Sequence, residues 1–354
     1  MVRISTFEGS IHMNFKIRYS TIFKMLDIFK SLKKGNDISS DIYELMEHED
    51  YQVELARYKG RVSKNEFIDY IINIQKITED EITNEDLRIH HEYYKDLLDN
   101  FEYYYKKAKE LNRFTPELFE QQIQVALKGL PDDMNLLELN FIFTFGIGQS
   151  FGWVYENNLH FDFLQLIKEK SLDDFFASIS HEVHHVGMNI LYKEIDLDNI
   201  SLEELFYLYF SGEGLAVKYC NNAEGVLSKS IYDGPKNIGL DNYSWNYLND
   251  DFNNCMNEFK NTIKSIKNNK IKTKEELEDI FTKYWMNPYT NEQDKKEIPK
   301  LKQYRVYSFG NDIWGIIHDC FGKDTVYETL KNPSRFTVVF NKALIQLNRQ
   351  DLII

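Results

Sequence analysis

The residues with the greatest chemical capacity are His181-Glu182-Val183-His184-His185, which read H-E-x-x-H. On an α-helix, positions i and i+4 lie one turn apart, about 40° around the axis. His181 and His185 can then share one divalent metal ion, while Glu182 beside them takes and returns a proton. That combination suits metal-assisted hydrolysis, in which a cation acidifies a water and a carboxylate removes its proton. His184 could instead pair with His181 at i and i+3, but Glu182 would then lose its geometry. His184 is therefore read as a residue behind the site or in solvent.

The motif needs a helix to present it. Along Leu172 to Tyr192, Leu172, Phe175, Phe176, Ile179, Val183, Val186 and Ile190 fall on one stripe at helical spacing. His181 and His185 lie on the opposite side, with Glu182 between them and the stripe. Ser171 followed by Asp174 resembles a capping box and sets the start of the helix.

A catalytic zinc takes three protein ligands and keeps one position for water. The extended pattern H-E-x-x-H-x-x-G-x-x-H would require glycine three residues after His185 and histidine six residues after it. The chain has Met188 and Leu191 at those positions, which leaves a glutamate from a later helix. Glu213, in Phe210-Ser211-Gly212-Glu213-Gly214-Leu215-Ala216, is the leading candidate, with Glu194, Glu203 and Glu204 as competitors. It follows a helix expected to begin near Ser201, where Ser201 and Glu204 form another capping-box pattern. Glycine on both sides of a glutamate costs about 1 kcal/mol each in a helix interior, and close approach of two metal-bearing helices would justify that cost. A plain helix break at Gly212, with Glu213 in the first turn beyond it, is the competing explanation.

H-E-V-H-H followed by the downstream G-E-G-L-A segment resembles the gluzincin group of zinc peptidases, nearest to bacterial families described as zinc-dependent peptidases. The resemblance covers mainly residues 137 to 345. It implies one catalytic zinc ion held by His181, His185 and Glu213, with Glu182 as general base and a peptide or protein as substrate. It also implies a zincin-like catalytic domain and an oxyanion donor from a later segment. Tyr307, in Tyr307-Ser308-Phe309-Gly310, is preferred for that role over Tyr304 and His318, because it precedes a glycine and a new helical pattern. The interval from His185 to Glu213 is longer than in thermolysin-type enzymes.

Leu139 to Phe145 is aromatic and β-branched, a predicted strand. A glycine-bearing loop follows, then Trp153 to Tyr155 and the alternating run Leu159 to Phe163, which together read as a small antiparallel or mixed sheet. Such a sheet could align an extended substrate along its edge or be purely structural. The glycines form no phosphate-binding signature.

With 42 Lys+Arg against 56 Asp+Glu, the net charge is −14. That argues against nucleic acid or an anionic membrane as partner. The 25 Phe and 23 Tyr supply enough apolar bulk for an ordered core. Cys220, Cys255 and Cys320 are odd in number and widely spaced, as expected of a reduced compartment. Met1 to Lys24 lacks an uninterrupted apolar stretch and no run of about 20 apolar residues occurs, so a cytoplasmic location is expected.

Residues 1–130 are expected to be a helical N-terminal region and 131–354 the zincin-like domain, the break falling at Gly129 to Asp133. Ile22 to Leu32 and Glu92 to Leu111 read as packed helices, and His90-His91 as a solvated pair. Asn261 to Glu278 reads as an exposed helix or connector, and Ser334 to Leu347 as a final helix. The fold class expected is mainly α (α+β). Two other functions fit the same residues. One is a non-catalytic metal-binding or peptidase-like protein acting through a protein partner; the other is a zinc amidase acting on a small substrate.

Overall fold

The computed structural model describes residues 14–136, 138–148, 151–169, 172–221, 223–231, 242–289, 296, 301 and 303–354. The capping-box expectation that rests on Ser171 lies outside the described residues. The fold is mainly helical with one small mixed sheet, and the chain forms two compact units. One comprises Met1–Glu120 and Asn135–Phe175, the other Gln121–Met134 and Phe176–Ile354.

The first unit opens with β1 (Asn14–Arg18), then α1 (Ser20–Lys33), α2 (Ser39–Met46), α3 (Glu49–Arg57), α4 (Lys64–Asn73), α5 (Glu85–Asp99) and α6 (Phe101–Lys109). Helix α7 (Pro116–Gly129) runs on into the second unit. The first unit then resumes with β2 (Glu138–Thr144), β3 (Gly152–Tyr155), β4 (Asn158–Asp162) and α8 (Phe163–Glu169). Strand order is β1-β2-β4-β3. The first three strands are parallel and only β3 runs antiparallel, against β4. The parallel pairing explains why β2 reads as a nearly continuous apolar run, since central parallel strands are covered on both faces. Strand β1 lies in a stretch whose sequence reads as helical throughout.

The long helical pattern at Glu92 to Leu111 breaks at Asn100, the residue between α5 and α6. His90 and His91 correct the solvated-pair reading, for both are buried. His90 Nε2 lies 2.9 Å from Asp162 Oδ2, and His91 Nδ1 lies 2.9 Å from the Tyr70 hydroxyl. Burial is tolerable because each imidazole has a polar partner waiting for it.

The second unit contains α9 (Leu172–Tyr192), which begins in the first unit, and then α10 (Leu202–Tyr209), α11 (Ser211–Cys220), α12 (Asn242–Asp250), α13 (Phe252–Lys267), α14 (Lys274–Tyr284), α15 (Arg305–Lys331) and α16 (Phe336–Gln346). Ser201 and Glu204 do form a capping box at the start of α10. The lysine-rich segment resolves into the end of α13 and the start of α14. The core of this unit is aromatic: the Phe210 and Trp285 rings are 4.7 Å apart and those of Trp285 and Phe309 are 4.9 Å apart. Each such ring contributes roughly 1.5–3 kcal/mol by leaving water. Gly322, at φ +83°, bends α15 in a conformation that side chains avoid.

Arg305 fixes the start of α15. It is 1% exposed, donates from Nε to Asp251 Oδ2 at 2.8 Å and from Nη1 to the Asn287 carbonyl at 2.6 Å. Both charge and hydrogen-bonding capacity are thereby satisfied inside the protein. No helix among the described residues is long and apolar enough to cross a membrane.

Candidate metal centre

Helix α9 carries the H-E-x-x-H motif, and its apolar stripe is buried as expected at Phe175, Phe176, Ile179, Val183 and Val186. The opposite side is not a solvent face, however. His184, Met188 and Leu191 are buried too, so the helix is enclosed nearly all round. Gly187 lets it in: a Cβ there would lie 2.4 Å from Leu130 Cδ1.

Helix α11 runs antiparallel to α9, as the contacts between them show. Near one end the Tyr192 hydroxyl lies 2.6 Å from Ser211 Oγ, whose own hydrogen goes to the Leu208 carbonyl. Near the other end the Cys220 thiol donates to the Ser180 carbonyl at 3.4 Å. Glu213, in the first turn of α11, meets the histidines between these two fastenings. The helix break and the juxtaposition with the motif therefore occur together: α10 ends before Phe210, and α11 starts afresh at Ser211 with Glu213 aimed at α9.

His181 Nε2, His185 Nε2 and Glu213 Oε2 form a small triangle. The two nitrogens are 3.0 Å apart, and the carboxylate oxygen is 3.1 Å from His181 and 3.4 Å from His185. With bonds of about 2.1 Å to zinc, the ligand atoms of a tetrahedral site are roughly 3.4 Å apart, so the triangle is close to one face of such a site. Among the described residues, these three are the group of His, Cys, Asp or Glu side chains close enough to hold a metal ion. The competitors lie elsewhere. Glu194 pairs with Lys331, Glu203 accepts from Tyr207, and Glu204 caps α10.

The electrostatics of the triangle favour positive charge. Burial disfavours the carboxylate of Glu213, but His185 and His181 outweigh it and hold its pKa far below the usual carboxylate range. Burial likewise opposes the charged form of His185, and Glu213 overcomes it, lifting the pKa to about 9. A carboxylate enclosed with two imidazoles binds a cation in place of a proton.

Tyr307 adjoins this triangle, its ring stacked on His181 at 6.2 Å and 15°. It packs on Val217, Ala223 and Trp245. Burial, the charges of Glu213 and Glu182, and a hydrogen bond to Glu213 push its pKa well above 10, so it remains a donor. Tyr307 sits in the first turn of α15, within the helix and not before it. Gly310 lies inside that helix, where α15 crosses α11. Tyr304 precedes the helix, 39% exposed, with its ring 6.3 Å from that of Tyr307. His318 is three turns further along α15 and bonds the Tyr219 hydroxyl at 3.1 Å, so the geometry does not bring it to the triangle. Glu182 is half-buried beside His181 on α9.

His184 is fully buried, which excludes the solvent reading. The Tyr327 hydroxyl donates to the Gly129 carbonyl at 2.6 Å and lies 3.3 Å from His184 Nε2. Its only hydrogen being committed, it accepts from His184, whose Nε2 carries the proton. Burial, with the charges of His185 and His181, keeps His184 neutral. It fastens the back of α9 to α15.

Asn221, the C-cap residue of α11, is a partner of the site that the motif does not announce. Its Oδ1 lies 2.9 Å from His181 Nδ1. The sequence signal was slight: an amide eight residues beyond Glu213 at a helix end.

A two-histidine, one-carboxylate donor set presented by two antiparallel helices is compatible with a divalent metal such as zinc. This chain belongs to the family described as "Putative zinc dependent peptidase (DUF5700)", whose model matches residues 42–349. The match extends well N-terminal of residue 137 and takes in α3 to α6 of the first unit. No curated protein and no solved structure matches the chain.

Proposed function

We propose that this protein is a zinc metallopeptidase of the gluzincin kind, hydrolysing peptide bonds with Glu182 as general base. The observation that supports this best is the triangle of His181 Nε2, His185 Nε2 and Glu213 Oε2, with Glu182 adjoining it on α9. Bound there, zinc supplies a Lewis acid for the scissile carbonyl and brings the pKa of a water down to about 7.

The remaining work falls to the side chains. The Glu182 carboxylate accepts a proton from the attacking water and delivers it to the departing amine nitrogen, so the residue ends as it began. The Tyr307 hydroxyl, kept protonated by its surroundings, donates a hydrogen bond to the oxyanion as the carbonyl carbon becomes tetrahedral. The Asn221 amide oxygen holds the His181 ring at Nδ1, and Glu213 would share the ion with His181 and His185. The net charge of −14 fits a peptide or protein partner better than nucleic acid or an anionic membrane.

The test combines metal analysis with peptide-library hydrolysis for the wild type and Glu182→Gln. The expected result is one zinc per chain in both proteins, with hydrolysis in the wild type and a loss of at least about 100-fold in the variant. Absence of zinc from the wild type would overturn the metal reading. Equal turnover in the two proteins would overturn the role of Glu182. Zinc without hydrolysis of any peptide would favour a binding protein.

A further inference from the structure

The contact between His181 and Asn221 has a direction. A side-chain amide oxygen only accepts hydrogen bonds, so the 2.9 Å contact from Asn221 Oδ1 requires His181 Nδ1 to carry the ring hydrogen. The lone pair is then on Nε2, the nitrogen that faces His185 and Glu213. The opposite tautomer would set two acceptors against each other at Nδ1 and turn a hydrogen into the triangle.

Asn221 is itself held. It is 3% exposed, and its backbone N–H caps α11 by donating to the Val217 carbonyl at 3.1 Å. The preceding residue, Cys220, is tied to Ser180, the residue preceding His181. Two consecutive residues at the end of α11 thus clip onto two consecutive residues of α9. The same helix delivers Glu213 from its first turn.

We propose that Asn221 is a positioning residue for the metal centre. It locks His181 in the Nδ1–H tautomer and fixes the plane of the ring, so that Nε2 is presented to the ion. This rests on the metal reading above. Outer partners of this kind are typically responsible for about 10- to 100-fold in metal affinity.

The experiment measures zinc affinity by competition with a chromophoric chelator, and the visible spectrum of the Co(II)-substituted protein, for wild type, Asn221→Ala, Asn221→Asp and His181→Ala. Asn221→Ala is expected to weaken zinc binding about 10- to 100-fold and to change the Co(II) ligand-field bands, at an unfolding midpoint close to wild type. Asn221→Asp keeps an acceptor of the same reach and is expected to restore affinity to at least the wild-type level. Adding Asn221→Ala to His181→Ala is expected to cost nothing further. Wild-type affinity in Asn221→Ala, or equal weakness in the Ala and Asp variants, would overturn the positioning role and leave the metal site standing. Zinc that fails to bind wild type, or binds His181→Ala unchanged, would overturn the metal reading itself.

Discussion

Gly214 and Gly310 meet backbone to backbone: a Cβ on Gly214 would lie 2.3 Å from the carbonyl carbon of Gly310. In reverse, a Cβ on Gly310 would lie 2.9 Å from Gly214 Cα and 2.6 Å from the Phe210 carbonyl oxygen. This crossing of α11 and α15 sets Glu213, the neighbour of Gly214, beside Tyr307, one turn before Gly310. Glycine is present there because no side chain fits.

Gly214→Ala should therefore damage both the fold and the site. Backbone cannot swing aside as a flexible side chain can, so the helices must part. A loss of about 1–3 kcal/mol in unfolding free energy is expected, together with weaker zinc binding because Glu213 moves with its helix. Denaturant unfolding and a chelator titration would check both, and an unchanged midpoint would show that the crossing yields easily.

Tyr307→Phe removes one hydroxyl and leaves the ring stacked on His181. Zinc content should stay at the wild-type level while kcat falls about 100- to 1,000-fold, the usual effect of losing an oxyanion donor. Unchanged kcat would end its catalytic assignment and leave it as packing.

Tyr327→Phe tests the buried link behind the motif. It orphans the Gly129 carbonyl and the His184 Nε2 hydrogen, and a buried group without its partner costs about 1–3 kcal/mol. Stability should fall by that amount while zinc stoichiometry holds, because His184 faces away from the triangle. A loss of zinc without a loss of stability would place His184 among the ligands.

Asp312 provides a pH signature. Burial raises its pKa to about 7, against hydrogen bonds from the Leu227, Ser228 and Val226 backbone and the charge of Lys218. Its ordinary value is 3.8, so between about pH 4 and 7 the folded protein holds a proton that the unfolded chain has released. Stability from this group must then decline as pH rises through that window, with the full penalty above about 7. Asp312→Asn should remove that slope, its advantage over wild type growing with pH by an amount on the order of a few kcal/mol at most. Unfolding midpoints at pH 5 and 7.5 decide it: a pH-independent difference would refute the buried proton.

Much of the candidate site was legible because its signals are local. The H-E-x-x-H spacing, the apolar stripe of α9 and the Ser201–Glu204 capping box each depend on residues within a turn or two. Glu213 was reachable through its flanking glycines, although the reason for Gly214, the crossing with Gly310, involves a helix almost 100 positions later, and Gly212 has room for a side chain. What escaped depends on distant partners. Burial of His90 and His91 is set by Asp162 and Tyr70, and that of His184 by Tyr327. Strand β1 is five residues long and pairs with β2 across more than 100 positions, leaving little pattern for a sequence to show. Asn221 is an ordinary helix-ending residue until His181 is placed against it.

The antiparallel pairing of α9 and α11 has a consequence for how this chain can vary. Glu213 and Asn221 reach one imidazole from two points of a single helix, so one residue added between them would rotate one away from the other by about 100°. The chain from Lys193 to Ile200, which lies outside both helices, bears no such constraint, and lengthening a surface loop costs little, roughly 0.6 kcal/mol per doubling. Relatives should differ in the number of residues between His185 and Glu213 and agree on the number between Glu213 and Asn221. The slack in the long interval between histidine and glutamate is thus the stretch from Lys193 to Ile200, and the ruler is α11.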